Sequence, residues 1–117
     1  METTIVNEPE LRLVETFYDT DKTQIKERYY VDKNGLRQGM YQQFYSNGTI
    51  ATECNYKDDC QHGLTECFYG DGRPTIRCVY NKNVLHGLYE WFENREVAER
   101  ILYIDGVAEL SCIKPLK

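Results

Sequence analysis

The sequence predicts an all-β chain, an antiparallel β-meander of repeated hairpins with a 24-residue period laid out as a single twisted sheet. Three observations predict it. Gly39, Gly63 and Gly87 stand 24 residues apart, and Phe44, Phe68 and Phe92 each follow five residues later. Between these marks, short segments rich in aromatic and β-branched residues alternate with clusters of Asn, Asp and Gly, the pattern of strands and turns. No stretch carries sustained helical periodicity with caps.

Taken in order, residues 12–18 and 24–31 form a worn first pair, in which Phe17-Tyr18 aligns with Phe44-Tyr45 and Tyr29 with Tyr56. Residues 39–45 and 49–57 form the second pair, joined through Ser46-Asn47-Gly48. Residues 63–69 and 74–81 form the third, joined through Gly70-Asp71-Gly72. Gly48 and Gly72 supply the positive φ of a tight turn at little steric cost. Residues 87–92 and 97–104 form the fourth pair, whose turn is one residue shorter, so that Tyr103 takes the place of Tyr80. A last strand is expected at 108–113. The second kind of connection, at 57–61 and 81–85, reads as a longer polar loop ending on the recurring Gly. The sheet domain is thus expected to span 12–114, between an acidic N-terminal tail at 1–11 and a C-terminal tail at 115–117.

The string Tyr41-x-x-Phe44-Tyr45-x-Asn47-Gly48-x-Ile50-x-x-Glu53-x-x-Tyr56, closing on His62-Gly63, resembles the MORN repeat in its YwqK-like variant. The resemblance covers about residues 17–106. It implies a ribbon-like antiparallel meander and non-enzymatic work: scaffolding, self-association, protein partners, sometimes lipid. It further implies an antitoxin-like neutraliser of a toxin, or a structural or assembly protein of a large DNA virus. The pattern departs from the family at Glu93-Asn94-Arg95 and at Pro74.

Charge and cysteine content narrow the classes. The net charge is −5, which argues against nucleic acid and against an anionic membrane surface, since both require basic patches. No apolar run approaches the ~20 residues of a bilayer span, and the N-terminus lacks the order of a signal peptide. Five cysteines, an odd number without close pairing, point to a reducing, cytoplasmic setting.

His62 and His86 sit one repeat apart, two strand spacings or roughly 9.6 Å, too far to share one metal ion. They read as structural residues beside the recurring Gly. Cys54 and Cys78 repeat in the same way and read as small buried residues, with Cys67 near Cys54 if a turn is centred at Cys60. Gly70-Asp71-Gly72 lacks the following helix of a phosphate loop, and Asp58-Asp59 with Glu53 lacks calcium-loop spacing. Glu66 and Glu90 are a repeat-related carboxylate pair. No catalytic, cofactor or metal residue is expected.

What remains is surface. Strand alternation puts Met40, Gln42 and Phe44 on one face with Leu64, Glu66, Phe68, Leu88, Glu90 and Phe92. Tyr41, Tyr45, Tyr69, Tyr89 and Trp91 fall on the other and are the expected partner-binding stripe. The repeat-structural set is Gly39, Gly63, Gly87, Phe44, Phe68, Phe92, His62, His86, Gly48 and Gly72. The expected function is a non-enzymatic interaction or scaffolding module, binding a protein partner or itself through that stripe and the strand edges. The alternative is a phosphoinositide or membrane-surface module using Arg73, Arg77, Lys82 and the basic end at 114–117.

Overall fold

The structure, a computed structural model, describes residues 10–115, with side chains through residue 109. Most of the expected N-terminal tail, and residues 116–117 of the C-terminal tail, lie outside the described residues. The described chain is all strand and turn: β1 (Arg12–Phe17), β2 (Ile25–Val31), β3 (Gly39–Phe44), β4 (Ile50–Lys57), β5 (Cys60–Gln61), β6 (Gly63–Phe68), β7 (Pro74–Asn81), β8 (Val84–Leu85), β9 (Gly87–Glu93), β10 (Glu96–Ile104) and β11 (Val107–Pro115). All belong to one antiparallel sheet in the order β1-β2-β3-β4-β6-β7-β9-β10-β11, with β5 on β4 and β8 on β7. The sheet does not close into a barrel, and among the described residues β1 and β11 are its edges. A single open layer is extended: the radius of gyration is 17.6 Å, against about 13 Å for a compact domain of about 100 residues.

Two kinds of turn build the meander. After β3 and β6, Asn47-Gly48 and Asp71-Gly72 turn with positive φ at the Gly alone. Tyr45 N–H bonds to Thr49 O and Gly48 N–H to Tyr45 O, and Tyr69 to Gly72 repeats this pattern. This is a longer hairpin loop that ends in a bulge. Pro74 opens β7 at the register shift beside Phe68, where its missing N–H costs the ladder nothing.

At the other end the expected polar loops are absent. The chain turns within two residues, Asp58-Asp59 or Lys82-Asn83, both at positive φ (50 and 69°, 51 and 72°). Cys60-Gln61 and Val84-Leu85 then pair straight back onto β4 and β7. These are the mirror-image turns that match strand twist. Their sequences hide them, because neither carries the Gly that marks such turns. Asn94-Arg95 and Asp105-Gly106 adopt the same geometry.

The glycine that follows each short return strand has a defined task. Pairing on β4 runs from Tyr56↔Gln61 to Glu53↔Glu66, which uses two more residues on the incoming strand than on β4. Gly63, at φ 99°, sits in that bulge. The same shift separates Tyr80↔Leu85 from Arg77↔Glu90, around Gly87. It also separates Val31↔Arg37 from Arg28↔Gln42, around Gly39.

Neighbouring units are stitched at both ends. Backbone N–H groups of Asp59, Asn83 and Gly106 reach the carbonyls of Arg37, Gln61 and Leu85 at 3.0, 2.9 and 2.8 Å. At the opposite end the Tyr18 and Tyr45 hydroxyls donate to Phe44 O and Phe68 O, at 2.5 and 2.6 Å.

Candidate interaction surface

Residues paired across antiparallel strands share a face, so the register assigns every side chain. One face carries Tyr29, Tyr41, Cys54, Thr65, Cys67, Ile76, Cys78, Tyr89, Trp91 and Ile101. It covers itself. Tyr41 stacks on Tyr29 and meets Tyr56 edge-on, both with ring centroids 5.5 Å apart. Tyr89 lies 4.8 Å from Trp91 and 6.0 Å from Tyr103. Small side chains fit among these rings, and Cys54, Thr65 and Cys78 are buried.

Burial there has a chemical consequence. It pushes the Cys54 and Cys78 thiols up to about 11, with neighbouring Cys67 adding to the effect. Burial and a hydrogen bond donated to Glu27 also push the Tyr41 phenol well above its ordinary value. In the unfolded chain the thiols ionise near 9.0. Between pH 9 and 11 the unfolded state therefore binds fewer protons than the folded one, and stability present below pH 9 is lost as pH rises. The urea midpoint is expected to fall from pH 8.5 to 10.5, with Cys54 and Cys78 resisting iodoacetamide at pH 8 until the chain unfolds. A flat midpoint over that range, or rapid labelling of Cys54 or Cys78 in the native protein, would contradict the assignment.

Cys67 opposes Thr52, not Cys54. The turn is centred at Asp58-Asp59 and not at Cys60, which moves the register, and Cys54, Cys60, Cys67 and Cys78 are all free thiols.

The opposite face carries a row of polar residues across eight strands, Glu15↔Arg28↔Gln42↔Glu53↔Glu66↔Arg77↔Glu90↔Arg100. Arg28 binds Glu15 at 3.0 Å, Gln42 donates to Glu53 at 2.7 Å, and Arg77 lies 3.9 Å from Glu66 and 3.0 Å from Glu90. The guanidinium of Arg77 thus fills the space between the repeat-related carboxylates Glu66 and Glu90. Phe44 and Phe92 flank the row, beneath Arg28 and Arg77 at 5.7 and 5.1 Å. On the other flank lie Leu13, Tyr30, Met40, Leu64, Val84, Leu88, Ile104 and Val107, all exposed, from 37% to 64%. Most of the exposed large apolar side chains therefore share this face. Met40, Leu64 and Leu88 occupy equivalent positions 24 residues apart, a signal the sequence offered beside the more conspicuous tyrosines.

Of the expected stripe, Tyr41, Tyr89 and Trp91 are half-buried within the self-covering face, and Tyr45 spends its hydroxyl on Phe68 O. Tyr69 is 49% exposed. The backbone N–H groups of His62 and His86 bond to Asn55 O and Val79 O at 2.9 Å, and His86 Nδ1 accepts from Asp105 N–H at 3.1 Å. No group of three or more His, Cys, Asp or Glu is placed to hold a metal ion among the described residues. Arg73 and Lys82 flank opposite ends of β7, roughly 30 Å apart at about 3.3 Å per residue. Arg73 is paired with Asp71 and Arg77 with Glu66 and Glu90. No family model, curated protein or solved structure matches the chain.

Proposed function

We propose that this chain is a non-enzymatic interaction module that binds a polypeptide, a partner protein or a second copy of itself, through the open faces of its sheet. The observation that carries this reading is the ladder face: leucine, methionine, isoleucine and valine side chains 41–64% exposed along one flank of a sheet with no second layer among the described residues. Isolated exposed residues are ordinary, whereas apolar side chains recurring along one flank on strand after strand, beside a polar row, have the anatomy of a contact surface. The resemblance to MORN repeats points the same way. The edge strands β1 and β11 add a second means of association, by strand addition.

Light scattering behind size-exclusion chromatography tests it, on wild type and on Leu64→Glu/Leu88→Glu. Wild type is expected to run above the 13.8 kDa of one chain, and the double variant at it. Both positions are exposed, so the variant keeps its fold. A double variant that associates as wild type does would remove the ladder face from the interface.

A further inference from the structure

At one corner of the self-covering face the regular pattern breaks, and a cleft of about 790 Å³ opens there. Its walls include Tyr69 and Trp91, with Ile76 between them on β7, and Glu93, Glu96 and Glu99 stand along it. Its origin is the shortened last hairpin. Tyr18 and Tyr45 each latch onto a carbonyl of the next hairpin, Phe44 O and Phe68 O. By the same rule Tyr69 would reach Phe92 O. The β9–β10 turn is only Asn94-Arg95, however, and Phe92 pairs with Val97 inside that tight hairpin. Among the described residues Tyr69 makes no such latch, and its ring borders the cleft with the Arg73 guanidinium 5.0 Å from its centroid.

The charges of that space are unbalanced. Glu93 and Glu96 oppose one another directly across the hairpin, and Glu99 opposes Trp91. All three carboxylates are exposed, and none forms an ion pair among the described residues. Like charges directly opposite are destabilising in a sheet. Of the nearby cations, Arg73 binds Asp71 at 2.7 Å and lies over Tyr69, and Arg95, in the turn itself, pairs with none of the three carboxylates among the described residues.

We infer that this cleft receives a cationic side chain, an arginine of a partner polypeptide, stacked on Trp91 and Tyr69 and forked to the carboxylates of Glu96 and Glu99. A planar guanidinium matches both requirements, a π face and a pair of acceptors, better than an ammonium does. The inference rests on the polypeptide-binding reading above and names the chemistry of one contact.

Trp91 is the sole tryptophan and reports directly. The probe is acetyl-Gly-Arg-Gly-Arg-Gly-amide, with Glu-for-Arg and Lys-for-Arg versions beside it. The arginine peptide is expected to change Trp91 fluorescence saturably and the glutamate peptide not at all, with the lysine peptide weaker. Glu96→Lys/Glu99→Lys is expected to weaken binding about tenfold or more, and Tyr69→Leu about threefold. Both variants alter exposed groups, and the first relieves a like-charge contact, so circular dichroism should match wild type. An arginine peptide that leaves Trp91 unperturbed overturns the proposal, as does a charge-reversed variant that binds as wild type does. Failure here with association still lost in Leu64→Glu/Leu88→Glu removes the cleft and leaves the module. The converse result removes the ladder face and leaves the cleft.

Discussion

Gly87→Ala is expected to destabilise the fold by about 2–4 kcal/mol, the largest effect of any single methyl group added to this chain. Two costs add. Gly87 has φ 131°, a region essentially closed to residues with a Cβ and worth about 1–3 kcal/mol when one is forced there. A Cβ at this position would also stand 3.0 Å from Val79 Cβ and 3.3 Å from its Cγ2. A β-branched side chain in mid-strand has no spare rotamer with which to yield, so β7 and β9 must separate. Gly63 is the internal control. It fills the same bulge at φ 99°, but nothing lies within 4 Å of its Cβ position. Gly63→Ala is therefore expected to cost only the conformational share, about 1–2 kcal/mol. Urea unfolding of the two variants measures the difference. Equal losses would show that contact with Val79 adds nothing.

Glu90→Ala should rank next, at about 2 kcal/mol, and most of that should vanish once Arg77 is also removed. Glu90 is 9% exposed, an unusual state for a carboxylate. It is sustained by Arg77 on β7 at 3.0 Å and Arg100 on β10 at 3.8 Å. Truncation leaves two guanidiniums facing each other across a gap, and breaking a fully buried pair costs about 3–5 kcal/mol. The arginine side chains are 40% exposed, so solvent screens part of that loss. Glu66→Gln behaves differently. Glu66 opposes Glu53 directly, so neutralising one of two facing acids is expected to be neutral or stabilising by a few tenths of a kcal/mol. A double-mutant cycle over Glu90 and Arg77 should give a coupling above about 1 kcal/mol. Additive losses would place the cost in packing against Phe92 instead.

Much of the architecture was legible because the pattern repeats. The nine long strands fall where the spacing of Gly, Phe and Tyr puts them, most within one or two residues of the expected ends. Turns that carry Gly were readable, since Gly48 and Gly72 announce a positive φ. Turns that place Asp58-Asp59, Lys82-Asn83 and Asn94-Arg95 in the same region were not, because these residues enter it only when the strands on either side demand it. The short returns at Cys60-Gln61 and Val84-Leu85 have the look of loop in the sequence for that reason. Once the turn moved to Asp58-Asp59, the partner of Cys67 moved from Cys54 to Thr52.

The surface was half legible. Alternation sorted the side chains correctly into two sets, because that sorting depends only on the pleat. It could not say which set closes over itself. That depends on ring contacts between strands, Tyr29 with Tyr41 and Tyr89 with Tyr103, and on thiols small enough to sit among them. The cleft was hidden for a related reason. Tyr69 follows β6, Trp91 lies on β9 and Glu96 and Glu99 on β10, and only a hairpin shortened by one residue leaves the space between them open.

The amino-acid sequence by itself determined the fold class, the nine long strands and the partition of side chains between two faces, since all three follow from local periodicity and turn chemistry. Tertiary structure alone decided which face is exposed, which residue Cys67 opposes and where the acidic cleft lies. These depend on register between strands, and register is settled by bulges and turns whose free energy is balanced over the whole sheet.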